Sequence, residues 1–73
     1  MTEETIAVTN SSNINSYAYS PARGILTIEF KNGATWEYER VPQLIFDAMK
    51  CAESKGKFFS DRVKGYYDGR RIN

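Results

Sequence analysis

Residues 25–42, ILTIEFKNGATWEYERVP, constrain the fold of this chain more than any other stretch. Apolar and polar residues alternate on both sides of Asn32-Gly33, and this period of two is typical of strands that bury one face. An Asn-Gly pair between two such runs is a strong signal for a β-hairpin. The stretch therefore predicts two antiparallel strands, at residues 25–31 and 34–39.

The register of this hairpin follows from which side chains must share a face. A two-residue loop would place Ile28 opposite Glu37, which mixes apolar and charged residues on both faces. A three-residue loop at residues 31–33 places Ile28 opposite Trp36, and all the apolar residues then share one face. Because a shift of one residue would turn every side chain over, we predict the three-residue loop, with Gly33 in the left-handed conformation.

Trp36 and Tyr38 allow two interpretations. Aromatic residues on a sheet form stacking platforms in RNA-recognition domains. The predicted register instead places both rings beside Ile28 and Leu26, on the face that the helices should cover. A small sheet needs such an apolar face to be stable, so core packing is the favoured interpretation.

Residues 15–19 predict a first strand, which the turn at residues 20–24 joins to the hairpin. Tyr17 and Tyr19 share one face of this strand, and Ile14 and Ala18 lie on the other. If Ile14 and Ala18 face the core, both tyrosine rings stand on the open sheet face as candidates for stacking on a ligand. If the register differs by one residue, both rings belong to the core, and the sequence leaves these alternatives open.

Two helices are predicted after the sheet. The first covers residues 42–52, with proline at its first position and Gly56 as its C-terminal stop. The second follows Phe58-Phe59, with Ser60 as its N-cap, and ends at residues 68–69. Its expected core positions follow helical spacing and are Phe59, Val63 and Tyr66.

These elements predict an α+β fold, a three-stranded antiparallel β-meander packed on one face by two short C-terminal α-helices. The length of 73 residues fits one domain. We assign residues 1–10 to a mobile N-terminal arm, with an added edge strand at residues 5–9 as an option. Residues 11–69 form the predicted domain and residues 70–73 a basic tail.

The composition excludes several kinds of chemistry. The chain has no histidine and one cysteine, so histidine-based acid–base catalysis, catalytic triads and the usual zinc sites cannot be built. We predict a protein that is not an enzyme, with no catalytic residue, metal site or cofactor. Cys51 is expected to be a small buried hydrophobe. Cysteine usage and an acidic N-terminus without signal-peptide features predict a cytoplasmic protein with no membrane partner.

Positive charge is concentrated at the C-terminal end. Residues 50–73 carry seven Lys or Arg against three Asp or Glu, whereas residues 1–49 carry three against six. Cations interleaved with aromatic rings are typical of surfaces that bind single-stranded nucleic acid. The predicted nucleic-acid-binding residues are Lys55, Lys57, Arg62, Lys64, Tyr67, Arg70 and Arg71. The alternative is a solvated helix face followed by a charged tail.

An ordered set of residues across positions 12–67 is similar to a known family. These residues are Ser12, Ile14, Tyr19, Leu26-x-Ile28-x-Phe30, Asn32-Gly33, Trp36-x-Tyr38, Val41-Pro42 and Ala52-x-Ser54-x-Gly56-x-Phe58-Phe59. By them the chain resembles the KTSC domain, named for its occurrence at the C-terminus of some lysyl-tRNA synthetases and also found as a stand-alone protein in bacteria and phages. The first member of the central aromatic pair is commonly tyrosine in that family and is Trp36 here. The resemblance implies a small domain for which RNA binding has been suggested.

Three functional hypotheses follow. The first is a non-enzymatic module that binds RNA or another polyanion through the basic C-terminal end. The second is a small adaptor or inhibitor, phage-encoded in one version, that binds a host protein. The third is a binder of small nucleotides in a cleft between the sheet and the helices.

Overall fold

The computed structural model describes residues 4–8, 11 and 13–73, which form one sheet and two helices. In chain order the elements are β1 (Glu4–Ala7), β2 (Ile14–Ser20), β3 (Ile25–Phe30), β4 (Thr35–Tyr38), α1 (Gln43–Cys51), α2 (Lys55–Arg62) and β5 (Gly69–Arg71). The sheet has five antiparallel strands in the order β1-β2-β3-β4-β5. The predicted α+β class with two helices on an antiparallel sheet is confirmed, and the prediction of three strands is wrong.

The central hairpin of β3 and β4 has the predicted register. Ile28 lies opposite Trp36. The Phe30 amide donates to the Ala34 carbonyl at 2.8 Å, and the Gly33 amide donates to the Phe30 carbonyl at 3.0 Å, which closes the three-residue loop. Gly33 has a φ of 94°, a backbone conformation that only glycine adopts at little cost.

A bulge near the start of β2 decides which way its tyrosines point. Ile14 pairs with Phe30 and Ser16 with Glu29, so the register shifts by one residue between them. Ile14 therefore lies on the same face as Tyr17 and Tyr19 instead of on the opposite one, since the extra residue of a bulge reverses the alternation. All three side chains are buried.

Two edge strands extend the three predicted strands. The first, β1, corresponds to the optional edge strand at residues 5–9, and the second, β5, was not predicted. Strand β1 pairs with β2 and falls in the predicted N-terminal arm, of which residues 1–3, 9 and 10 lie outside the described residues. The prediction of a basic tail at residues 70–73 is wrong in part, because β5 pairs with β4. This pairing places Arg70 opposite Glu37 and Arg71 opposite Trp36. Beyond β5, the Ile72 amide donates to the Thr35 carbonyl at 2.8 Å. Backbone hydrogen bonds, not apolar alternation, hold this segment to the sheet.

The N-cap of the second helix lies six residues before the predicted N-cap, Ser60. Ser54 is the actual N-cap of α2, and its hydroxyl accepts from the Lys57 amide at 3.2 Å. Gly56, predicted to stop the first helix, lies inside α2, where an added Cβ would come 3.3 Å from the Ser11 hydroxyl. The helix ends at Arg62, so Tyr66 is not a core position and is 72% exposed.

The helices cover the face of the sheet that carries the aromatic residues. On α1, Phe46 stacks on Tyr19 with ring centroids 4.9 Å apart and meets Tyr17 edge-on at 5.9 Å. On α2, Phe59 meets the rings of Phe30 and Tyr38 edge-on at 5.4 and 5.3 Å. These ring contacts form the centre of the core. None of the helices in the described part of the chain is long and apolar enough to span a membrane.

Alkaline pH should destabilise the fold through its buried tyrosines. Burial raises the pKa of the Tyr19 hydroxyl above 10.0, and the Asp47 carboxylate raises it further. Burial also raises the pKa of Tyr38. A phenol with a folded-state pKa above its unfolded value stabilises the fold below pH 10, and this stabilisation disappears as pH rises through the folded-state pKa.

We therefore expect the free energy of unfolding, measured in urea, to fall as pH rises above about 10. Tyr19→Phe should be less stable at neutral pH, because the Tyr19 hydroxyl donates to the Val41 carbonyl, but its alkaline fall should be shallower. An equally steep fall in the variant would contradict this assignment.

Candidate functional site

A cleft of about 560 Å³ opens between the β3–β4 hairpin, α2 and the segment that leads into β5. It exists because small residues line it where larger side chains would fill the space: Ala34, Gly56, Gly65 and Gly69. Position 69 requires glycine, because a Cβ there would overlap the Tyr38 ring. We call this space the aromatic cleft.

Buried rings form the floor of the aromatic cleft. Phe59 projects from α2 onto Phe30 and Tyr38, and all three residues line the cleft. Because Phe59 and Tyr38 are almost completely buried, the floor is continuous with the hydrophobic core. The position of the cleft therefore depends on the same packing that holds α2 to the sheet.

Two further rings, Trp36 and Tyr67, are partly exposed in the cleft. Both are half-buried and pack against the core with one side. The Trp36 ring lies nearly parallel to that of Tyr38, with centroids 6.4 Å apart and an interplanar angle of 20°. The predicted packing role holds for buried Tyr38, whereas Trp36 both packs on the core and lines the cleft.

The charge of the cleft lining is positive. Lys31, from the hairpin loop, and Lys64, from the turn after α2, both contribute to it, and no Asp or Glu does so among the described residues. Neither ammonium group lies within ion-pair distance of a carboxylate in the part of the chain that the structure describes. Both side chains are exposed, so their charges are available to an anionic ligand.

Neutral polar groups complete the lining. Asn13, Asn32 and Ser60 contribute amide and hydroxyl groups. The Asn32 side-chain oxygen accepts from the Ala34 amide at 2.9 Å, which leaves its NH₂ group pointing away from that bond as a donor. The cleft thus combines apolar rings, two cations and neutral hydrogen-bonding groups, a combination typical of sites for small polar ligands with an aromatic part.

The structure brings two of the predicted nucleic-acid-binding residues, Lys64 and Tyr67, together in this cleft. Arg71 lies opposite Trp36 on β5 and therefore belongs to the same face of the sheet. Arg70 belongs to the other face, where its guanidinium lies 3.4 Å from the Glu37 carboxylate.

The remaining predicted cations have partners within the protein. The Lys55 ammonium donates to the carbonyls of Lys50 and Ala52 at 3.0 and 2.5 Å, so it caps the C-terminus of α1. Lys57 pairs with Asp61 at 2.9 Å, one turn along α2. The Arg62 guanidinium lies 5.8 Å from the centre of the Phe58 ring. Phe58 directly precedes the core residue Phe59 in α2.

Tyr17 and Tyr19, the predicted candidates for stacking, are not exposed. They are 1% and 3% accessible, because the bulge in β2 turns the tyrosine face toward α1. Among the described residues, the outward positions of the strands carry no aromatic ring. Two of them carry carboxylates, Glu29 and Glu37. The open face of this sheet is therefore unlike the stacking surface of an RNA-recognition sheet.

Sequence reasoning did not assign Lys31, Asn13 or Ser60 to a site. Lys31 lies in the predicted hairpin loop, and nothing in its local sequence indicates that it lines a cleft together with residues of α2. The available signal was the register of the hairpin, which put Trp36 on the helix-covered face beside the small residue Ala34.

Cys51 is exposed at the end of α1, so the prediction that it is a buried hydrophobe is wrong. Over the described ranges, no three His, Cys, Asp or Glu side chains are grouped in a way that could hold a metal ion.

Comparisons with known proteins agree on one family. The KTSC domain family profile matches residues 10–67. A protein of Tsukamurella paurometabola is 44% identical over 54 residues, which cover 74% of this chain and 81% of that protein. The crystal structure of a KTSC domain protein from Yersinia pestis is similar with a TM-score of 0.89 and 34% identity, covering 99% of this chain and 100% of that one. Ser12, one of the residues that carry the resemblance, lies outside the described residues.

A similar segment also occurs within much longer proteins. A lysine–tRNA ligase of Nostoc sp. is 38% identical over 60 residues, which cover 82% of this chain. The matched segment is 11% of that ligase, so the chain corresponds to a small part of it. A lysine–tRNA ligase of Trichormus variabilis is 36% identical over the same length and share.

Proposed function

The chain belongs to the KTSC domain family, and from this premise we propose that it is a non-catalytic module that binds single-stranded RNA in the aromatic cleft. The observation that carries the proposal is the composition of the cleft lining. The lining combines the partly exposed rings of Trp36 and Tyr67 with the side chains of Lys31 and Lys64, and it has no carboxylate among the described residues. Rings that stack on bases, next to cations that meet phosphates, are what single-stranded nucleic acid binding requires.

The shape of the surface favours a single strand over a duplex. A base must leave its helical stack to reach the floor of a cleft this size, and unpaired nucleotides do so at least cost. The open face of the sheet is the less favourable route. It carries Glu29 and Glu37, of which Glu37 is paired with Arg70 on the same face. The remaining negative charge, on Glu29, repels a phosphate backbone. The proposed path therefore follows the cleft and continues past Arg71.

Two observations support RNA and a binding role in particular. The relatives from Nostoc and Trichormus carry a similar segment inside proteins named for tRNA as a substrate. This chain has no histidine, so a binding role fits its residues better than acid–base catalysis. In the proposal the segment contributes contact with RNA, and any chemistry belongs to other parts of the longer proteins.

The test is the anisotropy of a labelled single-stranded RNA as salt rises from about 50 to 200 mM. If Lys31, Lys64 and Arg71 each contact one phosphate, log affinity should fall against log salt with a slope of about −2, since each contact on a single strand contributes about −0.7. The same sequence as a duplex should bind several times more weakly. A salt-independent affinity for the single strand would overturn the proposal.

The adaptor hypothesis makes a different prediction for the same protein. An adaptor or inhibitor of a host protein should show no saturable RNA binding and should retain one stoichiometric protein partner after nuclease treatment. Loss of all captured material on nuclease treatment supports the RNA proposal instead.

A further inference from the structure

The volume of the aromatic cleft sets the size of its ligand. Sites for small molecules and cofactors are typically about 300–1,000 Å³, and the cleft, at about 560 Å³, lies within that range. A space of this size is large enough for one unstacked nucleotide, whose neighbours in a strand would lie outside the cleft.

The lining contains both aromatic and positively charged side chains. Trp36 and Tyr67 are anchored against the core, so their exposed surfaces are held in place before a ligand arrives. Lys31 and Lys64 are exposed side chains on two turns that line the cleft. A flat aromatic base fits the anchored rings, and a phosphate group fits the ammonium groups.

The neutral groups suit the edge of a base. The hydroxyl of Ser60 and the amides of Asn13 and Asn32 can donate hydrogen bonds, and the first two can also accept. No carboxylate among the described lining residues opposes the phosphate. A nucleoside monophosphate offers three parts to a protein: the base face, the base edge and the phosphate. Each of them thus has a counterpart in the same space.

We infer that the aromatic cleft is a site for a single purine nucleotide, with the base on Trp36 and Tyr67 and the phosphate on Lys31 and Lys64. This inference rests on the proposed function and makes it more specific, since one nucleotide of the bound RNA would occupy the cleft. A purine is preferred because its larger ring system gains more from stacking than a pyrimidine does.

Trp36 is the only tryptophan of the chain, so its fluorescence reports directly on the cleft. AMP, GMP, CMP, UMP and adenosine are each titrated into the full chain while Trp36 emission is recorded. We expect saturable quenching by AMP and GMP, several-fold tighter than by CMP and UMP. Adenosine, which lacks the phosphate, should bind about tenfold more weakly than AMP.

A double variant separates the two parts of the site. Lys31→Ala with Lys64→Ala should weaken AMP about tenfold or more and leave adenosine unchanged within about twofold. Lys57→Ala, on α2 but paired with Asp61, is the control and should bind AMP as the parent chain does. Equal loss of AMP and adenosine in the double variant would overturn the phosphate assignment.

Failure of this inference can be told apart from failure of the RNA proposal. If labelled RNA binds with the expected salt dependence while AMP neither quenches Trp36 nor competes, the single-nucleotide site is wrong and RNA binding stands. If AMP binds as described but RNA binds no more tightly than AMP, the site stands as one for free nucleotides and RNA binding is wrong. If neither binds, both are wrong.

Discussion

Phe59→Ala should lower the free energy of unfolding by about 3–5 kcal/mol, the usual cost of removing a buried aromatic ring from a core. Phe59 is 5% exposed and is the residue of α2 that meets Phe30 and Tyr38. A domain of 73 residues has a total stability of about 4–11 kcal/mol, so the substitution should remove a large part of it. The cavity would lie directly under the aromatic cleft.

The neighbouring residue provides the matched control. Phe58 is also a phenylalanine of α2, but it is half-buried and its ring faces Arg62. Phe58→Ala should cost about 1–2 kcal/mol, because less apolar area is lost and no enclosed cavity forms. Urea denaturation followed by circular dichroism measures both. Equal losses for the two variants would show that Phe59 is not the residue that holds α2 to the sheet.

A milder substitution at Phe59 tests whether the ring contributes to ligand binding as well as to the stability of the core. Phe59→Leu keeps most of the side-chain volume and should cost roughly 1.5 kcal/mol, so the domain stays folded. Because the floor of the aromatic cleft is then reshaped but not lost, AMP and RNA should still bind. Loss of binding in this folded variant would mean that the Phe59 ring contributes to the ligand site and not only to the core.

The central hairpin could be predicted because its determinants are local. Asn32-Gly33 and the alternation around it fix loop length, register and inward face within one short stretch. The orientation of Tyr17 and Tyr19 could not be predicted, since it depends on a bulge at the start of β2 that no residue type signals. The start of α2 differs from the prediction because Gly56 indicates a helix end by propensity, whereas Ser54 caps a helix that includes it. Glycine suits position 56, since an added Cβ would come 3.3 Å from the Ser11 hydroxyl.

The edge strands show a different limit. Strand β5 is exposed along its whole length and has no apolar alternation. Its pairing with β4 depends on the turn after α2 returning the chain beside Trp36 and Tyr38. Charge asymmetry identified the basic C-terminal end, but it could not show that Arg70 and Arg71 point to opposite faces. A strand, unlike a tail, divides neighbouring side chains between two surfaces.

The candidate site was only half predicted, because its residues come from distant parts of the chain. Lys64 and Tyr67 were identified from the basic and aromatic composition of the C-terminal end. Lys31 and Trp36 come from a hairpin more than twenty residues earlier, and only the tertiary fold brings them to the same cleft. Cations that looked equivalent in the sequence differ in the structure, because Lys55 and Lys57 have partners inside the protein.

Charge reversal at the cleft should have the largest effect on RNA affinity. Lys31→Glu with Lys64→Glu replaces both ammonium groups of the lining with carboxylates. Each lost charge-assisted hydrogen bond to a phosphate is worth about 1.5–3 kcal/mol, so affinity should fall by roughly a hundredfold or more. The slope of log affinity against log salt should become less steep by about 1.4, because two phosphate contacts are lost.

A control with the same net charge distinguishes a site from general attraction. Lys57→Glu with Lys55→Glu changes the charge of the whole protein by the same amount, but on side chains that lie outside the cleft lining. If the aromatic cleft is the binding site, this control should lose only a few-fold in affinity, the effect of long-range electrostatics at moderate salt. Because Lys55 caps α1, the unfolding of the control variant must be measured in parallel. If the double control is unstable, Lys57→Glu alone is compared with Lys64→Glu alone, which changes the net charge by the same amount. Equal losses in the cleft and control variants would show that RNA binds to the basic C-terminal end as a whole, and the cleft would then have no special role.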